Sequence, residues 1–119
     1  ADGSVVAWGN SESAGDSSAV QAKLKSVQQI QASHQAFAAI LADGSVVSWG
    51  DARSGGSSSA VQDQLKNVQQ IQASKAAFAA ILAGGTVVTW GLAKYGGDSS
   101  SVQDLLKNVQ QIQATQHAF

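Results

Sequence analysis

The side chains with the widest chemical repertoire in this 119-residue chain are His34 and His117, Asp16 and Asp98, and Trp8, Trp49 and Trp90. An imidazole can ligate a metal or carry a proton. A carboxylate in a Gly-Asp-Ser-Ser turn can join a calcium loop, and an indole can stack on a sugar, base or pigment. Spacing counts against the first two. His34 and His117 fall in comparable polar breaks but one position apart in register, with Lys75 in the break between them and no recurring ligand beside them. They read as surface residues. Ser57 stands where Asp16 and Asp98 have their carboxylates, so turn hydrogen bonding accounts for those aspartates better than calcium does. Gly55-Gly56-Ser57 and Gly96-Gly97-Asp98 lack the following Lys-Ser or Lys-Thr of a phosphate loop, and no serine lies in a nucleophile elbow. The residues supply no catalytic, metal or cofactor set, and the chain reads as a non-enzyme.

What recurs is the whole pattern. Asp2-Gly3-Ser4-Val5-Val6-Ala7-Trp8-Gly9 returns at 43–50 and again at 84–91, a period of 41 residues. Val20, Val61 and Val102, then Ile30, Ile71 and Ile112, then Phe37, Phe78 and Phe119 keep that period without insertion. Such a period marks a repeat architecture, in which each unit completes its core against its neighbours. Residues 1–119 therefore read as a single repeat domain with units at about 2–42, 43–83 and 84–119. Repetition also disfavours a dedicated active site, which needs different groups converging at one place.

Composition narrows the classes further. Apolar residues make up 44% of the chain, enough for a shared core, while charged residues are 13% and the net charge is −1. The basic residues are scattered among acids, so no nucleic-acid partner is expected. The apolar runs Ala36 to Ala42 and Ala76 to Ala83 have seven and eight residues, whereas a spanning helix takes about 20. No transmembrane segment is expected. Cys, Met and Pro are absent, which removes disulfides and thiolate chemistry. The chain opens on a turn without an initiator Met, as a processed product or a segment of a longer polypeptide would.

One cycle of the repeat reads as mainly β with a short helix. Val27 to Ala32 is a strand of period two, with Val27, Gln29 and Gln31 on one side and Gln28, Ile30 and Ala32 on the other. After the break Ser33-His34-Gln35, Ala36 to Leu41 is a second strand, in which Phe37, Ala39 and Leu41 share a face. Asp43-Gly44 supplies the positive-φ residue of a tight turn. Val46 to Trp49 returns, Gly50 ends it, and 51–59 is a loop. Ser59 is expected to cap a helix over Ala60–Lys66, with Val61 and Leu65 on one face, covering the open sheet edge where a fourth strand would lie.

The hairpin Ala36 to Gly50, with its Asp-Gly turn and terminal Trp-Gly, resembles the blade signature of the regulator of chromosome condensation repeat family. The resemblance covers most of all three units, and its specific part is Asp-Gly-x-Val-x-x-Trp-Gly. It implies a β-propeller built of blades. The units depart from the family in having Ala36-Phe37 and Ala77-Phe78 where a His-Ser or His-Thr pair is common, and in being shorter. The family's guanine-nucleotide exchange, ubiquitin-ligase and light-sensing activities are therefore not carried over.

Trp8, Trp49 and Trp90 are expected to be packing residues, as are Phe37, Phe78 and, at the turn, Gly44. Their alternative use is a stacking rim for a sugar or pigment, with the chain as an accessory subunit of a larger assembly. Differences among the units mark the candidate binding surface. The loop after each Trp-Gly reads 10–14, 51–55 and 92–96, and contributes Glu12, Arg53, Leu92, Lys94 and Tyr95. The break before each second strand contributes His34, Lys75 and His117. Loops on a rigid scaffold are how recognition surfaces are built.

Val5-Val6-Ala7-Trp8 has no strand before it, and Phe119 stands where Ala-Ala-Ile-Leu would follow. A closed propeller usually has at least four blades, so an incomplete ring is expected. Further repeats, a protein partner or a second copy arranged head to tail would complete it. A short β-solenoid is the alternative architecture. The functional expectation is a non-catalytic scaffold that binds protein through its variable inter-strand loops.

Overall fold

The computed structural model describes residues 5–6 and 21–119. It contains two three-stranded antiparallel sheets. The first has the order β1 (Val27–Ala32), β2 (Ala36–Leu41), β3 (Val46–Gly50), and the second β4 (Val68–Ala73), β5 (Ala77–Leu82), β6 (Val87–Gly91). The fold is mainly β, and the described residues form no closed ring. Because the tight turn lies at residues 42–45, each sheet takes two strands from one sequence unit and its third from the next.

Alternation places both faces of each central strand in apolar surroundings. Ala36, Ala38, Ile40 and Val46 face the second sheet, where Ile71, Phe78, Ala80, Val88 and Trp90 meet them, with Leu65 and Val68 closing the layer. The opposite face of the first sheet carries Phe37, Ala39, Leu41, Val47 and Trp49, packed with Leu24 and Val5. Alanines at 36, 38, 39, 77, 79 and 80 are all buried, and their small side chains let the layers approach closely. Phe78 and Trp90 stack with centroids 5.4 Å apart, as Phe37 and Trp49 do at 5.3 Å.

The tight turn is built as its sequence requires. Asp43 Oδ1 accepts from Ser45 N at 3.0 Å and from Ser45 Oγ at 2.6 Å. Gly44 has φ +83°, and a Cβ there would stand 2.9 Å from Asn67 Cα. Asn67 itself adopts φ +55°, matched by Ser26 and Asn108, a left-handed conformation that Asn tolerates better than most residues. Its carbonyl accepts from Ala83 N, and Val68 N donates to Gly44 O, each at 2.9 Å. The turn of the first sheet is thereby tied to the strand entry of the second.

Two expectations are corrected. Pairing shifts register between Val27 and Gln29, and again between Val68 and Gln70. The extra residue, Gln28 or Gln69, is a bulge that moves Val27 to the face of Ile30 and Leu41, away from Gln29 and Gln31. The segment expected as an α-helix at Ala60–Lys66 is a 3-10 helix at Ser59–Gln64, preceded by Ser58 at its N-cap position without a side-chain cap bond. A hydrogen-bond relay explains its placement. Ser48 Oγ donates to Ser58 Oγ at 3.1 Å, Ser58 Oγ to Gln62 Oε1 at 2.7 Å, and Gln62 Nε2 to Val46 O at 3.0 Å. The relay recurs through Thr89, Ser99, Gln103 and Val87. It anchors the segment to β3 or β6, so edge covering occurs through Gln62 and Gln103 side chains rather than through an α-helix.

Candidate functional site

The strand ends opposite the tight turns carry the breaks and the loops after Trp-Gly. Each break closes on itself, with Ser33 N, Ser74 N and Thr115 N donating to Ala36 O, Ala77 O and Ala118 O, all at 2.9 Å. Successive breaks are joined across units. His34 N donates to Lys75 O at 2.7 Å, and Lys75 N to Gln116 O at 2.8 Å.

The post-Trp loops at 51–55 and 92–96 are each fastened to the break of their own sheet. Asp51 N donates to Gln35 O and Leu92 N to Ala76 O, both at 2.9 Å. Ser33 Oγ reaches Ser54 O and Ser74 Oγ reaches Tyr95 O, both at 2.6 Å. Within the first loop, Asp51 Oδ1 accepts from Arg53 N at 2.8 Å, shaping the short turn Ala52–Ser54. These bonds hold the loops as rigid extensions of the sheets.

A cavity of about 220 Å³ opens at this rim, lined by His34, Asp51, Arg53, Lys75, Leu92 and Tyr95 among others. His117 stacks on Tyr95 with ring centroids 5.1 Å apart, and Lys94 Nζ lies 5.8 Å from the Tyr95 ring centroid. The arrangement brings together His34, Arg53, Lys75, Leu92, Lys94, Tyr95 and His117. Glu12 lies outside the described residues. Arg53 pairs loosely with Asp51 at 3.7 Å and its side chain is 85% exposed. Asp51 was not anticipated as a rim residue. Its sequence signal was an Asp two positions before the loop's Arg, the spacing of an Asx turn.

The tryptophans are placed differently. Trp49 and Trp90 are 5% and 4% exposed, and Trp90 Nε1 donates to Gly55 O at 3.1 Å. Trp49 Nε1 has no partner among the described residues. Both rings lie inside the packing and offer no open face for stacking a ligand. Trp8 lies outside the described residues.

Larger cavities open elsewhere among the described residues. One of about 690 Å³ is lined by Ser48, Ser58 and Gln62, whose polar groups are engaged in the relay. Another of about 510 Å³ is lined largely by Val87, Val102, Leu106, Val109, Ile112 and Phe119. Among the described residues, no group of three or more His, Cys, Asp or Glu side chains is placed to share a metal ion, and no helix is long and apolar enough to cross a membrane.

Two exposed carboxylates are perturbed. Hydrogen bonds from Ser45, first from its hydroxyl and then from its backbone N–H, hold the Asp43 carboxyl below its ordinary value. The Ser100 backbone N–H and then its hydroxyl do the same for Asp98, whose Oδ1 accepts from Ser100 N at 2.9 Å. Both are turn-forming carboxylates.

Comparison of the chain with models of known families and with curated proteins finds no match to either.

Proposed function

We propose that the chain is a non-catalytic repeat module that binds another protein through the rim formed by its breaks and post-Trp loops. One observation carries this reading: residues scattered from His34 to His117 converge on a single edge of the fold. Their backbones are tied to the sheet ends by hydrogen bonds, so the surface is ordered before any partner arrives, which lowers the cost of binding. The units themselves are read as short blades similar to those of the regulator of chromosome condensation repeats. Face-to-face three-stranded sheets support blades, whereas the hydrogen bonds linking His34 to Lys75 and Lys75 to Gln116 suit a solenoid. A sugar- or pigment-binding role through tryptophan has less support, because the Trp49 and Trp90 rings are buried.

The test is a displayed peptide library panned on the full chain and counter-panned on the triple variant Arg53→Ala/Leu92→Ala/Tyr95→Ala. Peptides enriched on the parent and lost on the variant are the expected result. An absence of enrichment, or equal retention by both chains, would remove the rim as a protein-binding surface.

A further inference from the structure

The apolar cavity of about 510 Å³ beyond the second sheet repeats a seat that is already filled once inside the chain. Its lining residues Val87, Leu106, Ile112 and Phe119 stand one period after Val46, Leu65, Ile71 and Phe78, all members of the cluster between the two sheets. In that cluster the partners of these four include Val88 and Trp90 of β6. Trp90 stacks on Phe78 and donates from Nε1 to Gly55 O. The same seat is formed at the cavity. A Cβ on Gly96 would stand 2.5 Å from Phe119 Cδ2, as one on Gly55 would from Phe78 Cδ2, and Gly96 O accepts no hydrogen bond among the described residues. No described residue takes the place that Val88 and Trp90 hold in the first seat. Phe119 is accordingly 38% exposed, whereas Phe78 is fully buried.

A segment with the matching side chains lies at the other end of the stack. Val5-Val6-Ala7-Trp8-Gly9 is in register with β6, Val87–Gly91. Val5 packs on the first sheet beside Phe37 and Trp49, while Val6, the counterpart of buried Val88, is 78% exposed. Trp8 follows Val6 at the spacing that separates Trp90 from Val88. Both sheets stand between Val5 and the cavity. At about 10 Å per packed layer, the segment cannot reach the cavity of its own chain while Val5 stays on the first sheet. A second copy can supply it.

We propose that the chain associates head to tail with a second copy, the Val6 and Trp8 side chains of one copy entering the cavity of the other. Val6 takes the part of Val88. Trp8 takes that of Trp90, stacking on Phe119 and donating its indole N–H to Gly96 O. The layer so completed is shared, with residues 5–9 from one copy and 109–119 from its partner. Donor segment and acceptor cavity lie on opposite ends of the molecule, so the contact is heterologous and each copy can give and receive at once. It does not use Arg53, Lys75 or Leu92, and stands apart from the rim reading above.

Sedimentation equilibrium of the full chain across a range of concentrations is the test. Val6→Asp spoils the donor, and Val102→Asp, at an exposed residue lining the cavity, spoils the acceptor. Leu105→Asp makes the same change at an exposed residue outside the cavity lining. The parent is expected to associate reversibly, and Val6→Asp and Val102→Asp each to weaken that association about tenfold or more, since a carboxylate would enter an apolar seat. Leu105→Asp should match the parent. Mixed in equal amounts, the two spoiled chains should form a discrete dimer, because the intact segment of one meets the intact cavity of the other, while each alone stays a monomer. Circular dichroism matching the parent establishes that each variant folds. Phe119→Asp, at another exposed cavity residue, replaces Val102→Asp if that spectrum differs. A parent that is monomeric throughout, association untouched by either spoiling change, an equal loss in Leu105→Asp, or a mixture that fails to pair would each overturn the proposal.

Discussion

The first and second sheets contain the same strands under nearly the same sequence, yet they differ in what covers them. Val27–Ala32 and Val68–Ala73 are identical hexapeptides, but Ile30 is 39% exposed whereas Ile71 is fully buried. Phe37 is half-buried and Phe78 is fully buried. The second sheet lies against Ala36, Ala38 and Ile40 of the first, while described residues contribute only Leu24 and Val5 to the first sheet's other face. Local sequence chooses the strand, and the neighbouring layer determines how much that strand contributes to stability. A third copy of the hexapeptide, at 109–114, is not paired in a sheet among the described residues.

The sharpest way to break this comparison is truncation at equivalent aromatic positions. Phe78→Ala should cost about 3 to 5 kcal/mol, as loss of a fully buried aromatic does. Phe37→Ala should cost about half as much, because part of its ring already meets water. Urea-unfolding midpoints of the two variants would measure this, and equal costs would show that the layers are equivalently covered in solution.

Backbone closeness sharpens the same contrast. Gly55 sits under the Phe78 ring with φ +94°, and a Cβ there would lie 2.5 Å from Phe78 Cδ2. Gly55→Ala should therefore cost about 2 to 3 kcal/mol, combining left-handed strain with overpacking. Gly84→Ala has open space around its Cβ, and its effect should stay within about 0.5 kcal/mol. Thermal unfolding of the pair tests this, with the two shifts required to differ.

The smallest effect lies at the exposed tight turn. Replacing Ser45 by Ala should let the Asp43 carboxyl return upward toward 3.8, its ordinary value, as followed by NMR titration. Because the folded value is lowered, the turn's contribution is present above the ordinary value and is lost as pH falls through the folded one. An unchanged titration would mean that the Ser45 hydroxyl does not donate to this carboxyl.

Much of the strand layout was legible in the chain. β1 and β2 begin and end where period and polar breaks place them, and Asp43-Gly44 makes the turn because glycine alone avoids the cost of positive φ beside Asn67. The bulge at Gln28 was not legible, since the hexapeptide alternates regularly and only pairing with β2 reveals the extra residue. The α-helical expectation over Ala60–Lys66 failed for a related reason. Val61 and Leu65 fit a helical period, but Gln62 is drawn to Val46 O and Ser58 to Gln62, contacts that depend on β3. Of the rim, the sequence displayed variable residues but not their meeting place.

The chain by itself determined its period, its strands, its turns and the positions at which its units differ, because these follow from local alternation, backbone stereochemistry and repetition. Tertiary structure alone decided which copy of Ile30 and Ile71 is shielded, which face Val27 takes, and that Arg53, Lys75, Tyr95 and His117 share one edge. Burial and charge proximity depend on which layers and loops come together in space, and identical local sequences do not specify their neighbours.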